Sequence, residues 1–298
     1  MKVDVSNMRT FPILTDNGLR QQQNRKIFSM PLARLSRLIS RRTADVSEKD
    51  GDATARHQIS MSGAAMPDGH RAYVIGDIHG RKDLLLPLLD RIDADRARHR
   101  DVKNHLIFLG DYIDRGPMSA GVIDKMLELM EAENSIITLK GNHEAAMMTF
   151  LQDPVKGKRW LHYGGDATLK SYGVDVDLAK LDEKSIHRIT RSFKKSLPDS
   201  HLQFIGMLNN SHTLGDYFFV HAGIDPAHPI DGQREHDLLW IRDSFLSHEG
   251  LYEKVVVHGH SIIPEPEFRE NRIGIDTGAF YSNVLTCLVL EGDRKEIL

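Results

Sequence analysis

From Arg71 onward, short apolar runs alternate with longer stretches in which apolar and polar residues are mixed. Short apolar runs (YVI, HLIFL and SIITL) have the length of buried strands. Between them lie KDLLLPLLDRI and GVIDKMLELMEAE, in which apolar residues recur every three or four positions, as on one face of a helix. Pro87 fits the first helix only if that helix begins near Asp83. This order predicts an α/β domain whose strands are joined by crossover helices.

The pattern is less regular from Phe150 to about Asn210. Four further strand patterns follow, in DYFFVHAG, EKVVVHGH, RIGIDTG and NVLTCLVLEG. The hydrophobic content of 40% is sufficient for a sizeable core. We therefore predict one catalytic domain over residues 71–298.

Residues 1–70 show no sustained period, so they are predicted to be a mostly disordered extension. One segment within them, MPLARLSRLISRR, places Leu32, Leu35 and Ile39 on one helical face. A marginal helix on a solvated tail is favoured there over a helix that docks on a membrane or a partner.

The charges are divided unevenly between this extension and the domain. Residues 1–70 carry 11 basic and 7 acidic residues, a net charge of +4, whereas the remaining 28 basic and 35 acidic residues give −7. An acidic body is a poor binder of nucleic acid, so no nucleic-acid partner is expected. Residues 17–42 hold seven basic residues and no acidic one. This run suggests contact with a partner or an anionic surface, and the alternative is a passive arm.

Cysteine content and hydropathy limit the compartment. Cys287 is the single cysteine, which excludes an intramolecular disulfide and allows a reducing compartment. The chain has no run of 18 apolar residues and no signal-peptide pattern, so we expect a cytoplasmic protein without a transmembrane segment. Cys287 also lacks the Cys-x5-Arg pattern of cysteine-dependent phosphatases, because Asp293 occupies the arginine position.

Polar side chains follow the predicted strands at the points where they end. These are carboxylates, imidazoles, one amide and one guanidinium: Asp77 and His79; Asp111, Asp114 and Arg115; Asn142 and His143; His221; His258 and His260. Ligands bind at the carboxyl ends of strands in α/β sheets, and oxygen and imidazole donors suit Mn, Fe, Zn or Mg. Each fragment alone is weak, but five at successive strand ends indicate a site. Asp111 is the natural candidate to bridge two metals.

The ordered motifs GDIHG, GDYIDRG, GNHE, HAG and HGHS resemble those of the phosphoprotein phosphatase family of calcineurin-like metallophosphoesterases. WLHYGGDATLKSYG, DLLWIRDSFL and IDTGAFYSNVLT are similar to segments of its bacterial members. The resemblance covers about residues 71–291 and implies a central mixed β-sandwich flanked by helices.

The resemblance also implies a dinuclear metal centre. Asp77 and His79 would hold the first ion, and Asp111 would bridge to the second. The second ion would take Asn142, His221 and His260, whereas His258 is interpreted either as a residue that supports a ligand or as a structural residue. The expected ions are two divalent metals, with Mn²⁺ favoured and Fe or Zn as alternatives. Such a pair generates hydroxide from water at neutral pH and holds the phosphoryl oxygens.

Four further roles follow from the same resemblance. Arg115 and Arg242 would grip the substrate phosphate, because a planar guanidinium donates two hydrogen bonds to it. For Arg242 the alternative, a surface ion pair, has more weight than the alternatives for the other residues, because this role rests on a segment match. His143 would be the general acid that protonates the leaving group, and Asp114 would orient it.

Three functions remain open at this point. The motifs GDYIDRGP and GNHE favour a protein phosphatase acting on phosphoserine or phosphothreonine, with phosphotyrosine as a further option, so its partner would be a phosphorylated protein or peptide. The alternative is a dinucleoside tetraphosphatase, chiefly a symmetrical one that releases two ADP, or another small-molecule phosphoesterase. A non-catalytic binding protein is disfavoured because the ligand set is intact.

Overall fold

The structure is a computed structural model that describes residues 58–133 and 135–298. Two five-stranded sheets form its centre, and strands and helices are numbered here in chain order within the described residues. The strands are β1 His70–Ile75, β2 Lys103–Phe108, β3 Ile136–Thr138, β4 Ser211–Leu214, β5 Tyr217–Val220, β6 Val255–His258, β7 Glu267–Phe268, β8 Arg272–Gly274, β9 Cys287–Glu291 and β10 Arg294–Ile297.

Both sheets are mixed. The first has the order β10-β9-β1-β2-β3, in which β1, β2 and β3 are parallel and β9 is antiparallel to both of its neighbours. The second has the order β4-β5-β6-β8-β7, in which β5, β6 and β8 are parallel. In the first sheet Tyr73 of β1 lies between Leu106 and Val289.

The helices lie mainly between the strands of the first half and in the middle of the chain. They are α1 Lys82–Arg96, α2 Ser119–Ala132, α3 Asn142–Gln152, α4 Pro154–Gly157, α5 Gly165–Ser171, α6 Glu183–Ser196, α7 Asp199–Met207, α8 Glu235–Trp240, α9 Asp243–Leu246 and α10 Ala279–Ser282. Short 3-10 helices occupy Lys158–Tyr163, Leu178–Lys180 and Ile230–Gly232.

Alternation along the strands divides the core into layers. Ala72 and Val74 point into a cluster shared by both sheets, whereas Tyr73 and Ile75 point into a larger cluster with the helices. Side chains two apart in a strand share one face, so each strand serves two layers. A third cluster around Phe245 covers the outer face of the second sheet. The predicted β-sandwich flanked by helices is confirmed.

The structure adds detail in two parts of the chain. The middle segment, whose sequence pattern is less regular, is largely helical, and α6 buries Ile186, Ile189 and Phe193 on one face. Ala64 and Met66, which precede the boundary predicted at Arg71, are buried in the cluster between the sheets. These few apolar positions are too sparse to produce a visible period. Residues 1–57, including the helix expected over 30–42, lie outside the described residues.

Within the described residues, no helix combines the length and the apolar content that crossing a membrane requires.

Candidate active site

The carboxyl ends of the parallel strands in both sheets gather the polar side chains that the motifs predict. Asp77 and His79 follow β1, Asp111 follows β2, and His221 follows β5. Asn142 opens α3, directly after the short β3. The six predicted metal ligands are all buried, none with more than 6% of its surface exposed.

The backbone at this site is unusual. Of the six non-glycine residues with a positive φ among those described, five are predicted site residues: His79, Asp111, Asp114, Arg115 and His260. L-residues avoid this left-handed region, and such conformations cluster at functional sites because the surrounding structure holds them there. At these positions the placement of the side chain outweighs the cost of an unfavourable backbone conformation.

Two glycines in the motifs leave space for carboxylates. A Cβ at Gly141 would overlap the Oδ1 atom of Asp111, and a Cβ at Gly259 would overlap Oδ1 of Asp77. The glycines of GNHE and HGHS are thus explained by the close approach of backbone to a carboxylate.

Glu144 holds the loop after β2 in position. Its carboxylate is fully buried and accepts backbone N–H groups of Asp111 at 3.0 Å, Tyr112 at 2.9 Å and Gly141 at 2.9 Å. Through Gly141, Glu144 also contacts the residue that caps α3. Its longer-range contact with the β2 loop was missed, because that loop lies about 30 residues earlier in the chain.

Asp77 and His79, called here the aspartate group, lie on one side of Asp111. The His79 Nδ1 atom donates to the carbonyl of Ile113 at 2.9 Å, so Nε2 carries the lone pair. That Nε2 lies 3.4 Å from Asp111 Oδ2 and has no hydrogen-bond partner among the described residues. Asp77 accepts the N–H of His260 through Oδ2 at 3.0 Å, while its buried Oδ1 is likewise unpartnered there.

Asn142, His221 and His260, called here the amide group, lie on the other side. His221 Nδ1 donates to the carbonyl of Leu109 at 3.0 Å, and its Nε2 faces Asn142 Oδ1 at 2.8 Å and Asp111 Oδ1 at 3.5 Å. His260 Nδ1 lies 3.0 Å from the same Asn142 oxygen. Each oxygen of Asp111 therefore faces one of the two groups.

Burial sets the charge of these groups. It lowers the pKa of His79 to about 3 and also lowers the pKa of His221 and His260, so the imidazoles are neutral. Burial alone would raise the pKa of Asp111, but charge attraction to the histidines around it, His143 among them, outweighs burial and holds that pKa below its usual range. Asp111 is therefore an ionised carboxylate.

These residues fit divalent cations. The lone pairs of the neutral imidazoles face carboxylate and amide oxygens. Both partners are hydrogen-bond acceptors, so no hydrogen bond can join them. A histidine that ligates a metal donates its other N–H to a carbonyl or carboxylate, as His79 and His221 do to backbone carbonyls. Two clusters here have the spacing of a metal site: His79, Asp111 and His143; and Asp111, His221 and His260.

His143 has partners that distinguish it from the other imidazoles. Its Nδ1 donates to Asp114 at 2.5 Å, and its Nε2 lies 3.2 Å from the Arg115 Nη2 atom. Burial lowers its pKa, but the carboxylates of Asp111 and Asp114 outweigh burial and raise that pKa to about 9. A protonated ring beside a guanidinium makes a place for an anion rather than for a metal.

Asp114 is held by three donors. Besides His143 it accepts from Trp160 Nε1 at 2.7 Å and from Thr168 Oγ1 at 2.6 Å, and it is fully buried. With its oxygens fixed in this way, Asp114 orients the imidazole of His143.

The two arginines flank the centre at different ends. Arg115 stands beside His143, whereas the exposed Arg242 donates to Ser261 Oγ at 3.3 Å, next to His260. Burial and His221 lower the pKa of His260, and the charge of Arg242 lowers it further.

A family model described as calcineurin-like phosphoesterase matches residues 70–278 of this chain. The chain belongs to the calcineurin-like phosphoesterase family. The predicted resemblance to calcineurin-like metallophosphoesterases is confirmed, and the chain is a metallophosphoesterase hydrolase. The narrower resemblance to phosphoprotein phosphatases is not shown by this match.

This phosphoesterase is similar to curated relatives. It is 29% identical over 237 residues to the asymmetrical bis(5'-nucleosyl)-tetraphosphatase PrpE of Anoxybacillus flavithermus, covering 72% of this chain and 88% of the relative. It is 26% identical over 235 residues to the protein of the same name from Oceanobacillus iheyensis, covering 72% and 86%.

Solved structures share the fold of this phosphoesterase. A protein provisionally described as a diadenosine tetraphosphatase matches with a TM-score of 0.53 and 18% identity, over 78% of this chain and 95% of that one. A mutant cold-active protein tyrosine phosphatase matches with a TM-score of 0.51 and 17% identity, over 85% and 84%. At these identities the likeness concerns the fold alone.

His258 lies outside the centre of the phosphoesterase. Its ring packs edge-on against Phe245 with centroids 5.0 Å apart, and its Nδ1 contacts the carbonyl of Gly259 at 3.0 Å. Burial lowers its pKa to about 4. It occupies the core under the second sheet, as a structural residue would.

Asp276 is a site residue that sequence reasoning missed. It is buried, its Oδ1 accepts the N–H of Gly278 at 2.9 Å, and its Oδ2 has no partner among the described residues. Its charge acts on Asp77, whose pKa is raised by burial and then by Asp276. Asp276 follows the end of β8, so the strand-end signal that identified the other residues would have found it.

Proposed function

We propose that this chain hydrolyses dinucleoside tetraphosphates asymmetrically, using two divalent metal ions. The observation that carries the phosphoester chemistry is the pair of acceptor groups that face the two oxygens of Asp111. The substrate class is supported by the curated relatives, which are named asymmetrical tetraphosphatases and share most of their length with this chain. An unequal cut of a four-phosphate chain yields a nucleoside monophosphate and a nucleoside triphosphate.

The metal assignment keeps the six residues expected from the motifs. Asp77 and His79 would hold one ion, Asn142, His221 and His260 would hold the other, and Asp111 would contact both. When bound, such a pair activates water and neutralises phosphoryl charge. Glu144 accepts hydrogen bonds from the backbone N–H groups of Asp111, Tyr112 and Ile113 in the loop after β2, so it positions Asp111 for this role.

His143 is proposed as the proton donor to the leaving oxygen. Asp114 fixes its Nδ1–H, and the two carboxylates near it favour the protonated ring. The proton on Nε2 then passes to the oxygen released as the P–O bond breaks.

Arg115 and Arg242 are proposed to bind phosphate oxygens from opposite ends of the centre. Arg115 works beside the acid, and its contact with His143 Nε2 at 3.2 Å marks a point where two donors meet. An anionic oxygen between these groups would accept from both.

A phosphopeptide is the second candidate substrate. The observation that favours it is the buried Asp114–His143 pair, because an alkoxide leaving group needs protonation more than a nucleotide phosphate does. A serine or threonine phosphate would leave such an alkoxide.

The test compares both substrates in Mn²⁺. Diadenosine tetraphosphate and a panel of phosphoserine, phosphothreonine and phosphotyrosine peptides are assayed side by side, with the products separated by ion-exchange chromatography. We expect a higher kcat/KM for the dinucleotide, with AMP and ATP in equal amounts. Release of two ADP would overturn the asymmetrical cut, and a clear preference for peptides would make the second candidate correct.

A further inference from the structure

The two flanks of the centre present aromatic rings in different states. Beside the aspartate group, Phe280 packs edge-on against His79 with centroids 5.5 Å apart, and the Arg115 guanidinium lies 4.6 Å from its ring centroid. A ring engaged by an imidazole and a cation already fills its place in the site.

The ring beside the amide group is open. Trp240 ends α8, and its neighbours Leu238 and Leu239 are buried, so the helix is anchored while 40% of the tryptophan surface is exposed. Its ring meets His260 edge-on, at 83° and 6.5 Å between centroids. An exposed indole against a buried polar centre is available to a planar ligand.

Two other side chains complete this flank. Arg242 donates to Ser261 at 3.3 Å, and Ile262, next in the chain, is 39% exposed. The Trp240 ring contacts His260, the Arg242 guanidinium contacts Ser261, and the exposed Ile262 side chain follows directly, so all three lie at or beside the segment from His260 to Ile262. This combination matches a nucleotide, in which a flat base is joined through ribose to phosphate.

We infer that Trp240 stacks on the nucleobase of the nucleotide whose phosphate lies on the amide side of the centre, while Arg242 binds its phosphate. This inference rests on the proposed function. Every base has a π-face, so stacking depends little on which base the nucleotide carries. The site should therefore accept adenine and guanine alike.

Fluorescence reports this contact without turnover. The chain has two tryptophans, and Trp160 is buried at 2% exposure, so a ligand that stacks on Trp240 quenches the exposed one. We expect AMP and GMP to quench saturably at constant Mn²⁺, and inorganic phosphate not to. In Trp240→Phe the AMP-dependent quenching should disappear.

Kinetics give the size of the effect. Trp240→Ala should raise KM for diadenosine tetraphosphate by about 5- to 150-fold, the range measured for loss of one base–aromatic stack. KM for inorganic tripolyphosphate, which has no base, should stay unchanged. Trp240→Phe should restore most of the affinity. Phe268→Ala, at an aromatic residue 43% exposed on β7, is the matched control and should change neither value.

The outcomes separate this inference from the function on which it rests. If the protein does not cleave diadenosine tetraphosphate, the proposed function fails. If it does, but AMP leaves the fluorescence unchanged and Trp240→Ala keeps the wild-type KM, the stacking inference alone is wrong. A rise in KM confined to phosphopeptides would also overturn it, because Trp240 would then contact peptide.

Discussion

The two groups on either side of Asp111 differ in charge. The aspartate group contains the carboxylate of Asp77, with Asp276 beside it, whereas the amide group consists of two neutral imidazoles and the amide of Asn142. Both lie in the same buried centre. A bound cation would therefore offset like charges on the aspartate side and would separate facing lone pairs on the amide side.

The charge difference has an energetic consequence. Burial raises the pKa of Asp77, and the carboxylates of Asp276 and Asp111 raise it further. Burial also raises the pKa of Asp276, to about 6. Placing ionised carboxylates together in a low-dielectric site is unfavourable unless a cation is bound. We therefore expect the aspartate side to be destabilised more than the amide side when metals are removed.

The largest effect is expected from Asp111→Asn, which removes the carboxylate that the aspartate group and the amide group share. Turnover should fall to background, and the metal content should fall below two ions per chain. Both are measured after dialysis, by assay and by elemental analysis. Full activity with two ions bound would contradict the shared role of Asp111.

His143→Asn should come next, and it separates proton transfer from metal binding. Metal content should stay near wild type, because the other donors remain. On an alkyl phosphate kcat should fall by about 10²–10⁴-fold, since the alkoxide loses its proton donor. The loss on p-nitrophenyl phosphate should be smaller, because that leaving group needs little protonation. Equal losses on the two substrates would argue against the acid role.

Asp276→Asn tests whether charge distinguishes the aspartate side from the amide side. It removes one charge beside Asp77, so we expect affinity for one of the two ions to fall by about 10- to 100-fold, as for other residues that support a metal ligand. The metal-free protein should melt at a higher temperature than wild type, because the repulsion is relieved.

Calorimetric titration with Mn²⁺ and thermal melts with and without EDTA measure both changes. Asp293→Asn, at an exposed turn between β9 and β10, is the matched control. Unchanged Mn²⁺ affinity and unchanged melting of the metal-free Asp276→Asn protein would show that Asp276 takes no part in the centre.

The smallest effect on activity is expected from removal of residues 1–57, which should leave kcat on a small substrate within a few-fold. Removal of residues 1–68 should instead destabilise the protein, since it takes Met66 out of the inter-sheet core, where loss of a methionine side chain costs about 2–5 kcal/mol. Denaturant melts of both truncations test this. Equal stabilities would restore the boundary predicted at Arg71.

The sequence predicted most of the centre because each motif is local. A strand that ends on GDIH or GNHE can be recognised from adjacent residues alone, and parallel strands bring the loops that follow them together. Contacts distant in sequence were not predictable in the same way. Glu144 contacts a loop about 30 residues earlier. Ala64 packs between the sheets, in a segment whose apolar residues show no period. The helices between Pro154 and Met207 were missed because only α6 has a strongly one-sided pattern.

Anomalous diffraction from crystals soaked in Mn²⁺ tests whether two ions share Asp111. Data collected above and below the manganese absorption edge locate the ions without reference to activity. We expect two peaks, one contacted by Asp77 and His79, the other by Asn142, His221 and His260, with Asp111 between them. A single peak, or peaks away from Asp111, would contradict this arrangement.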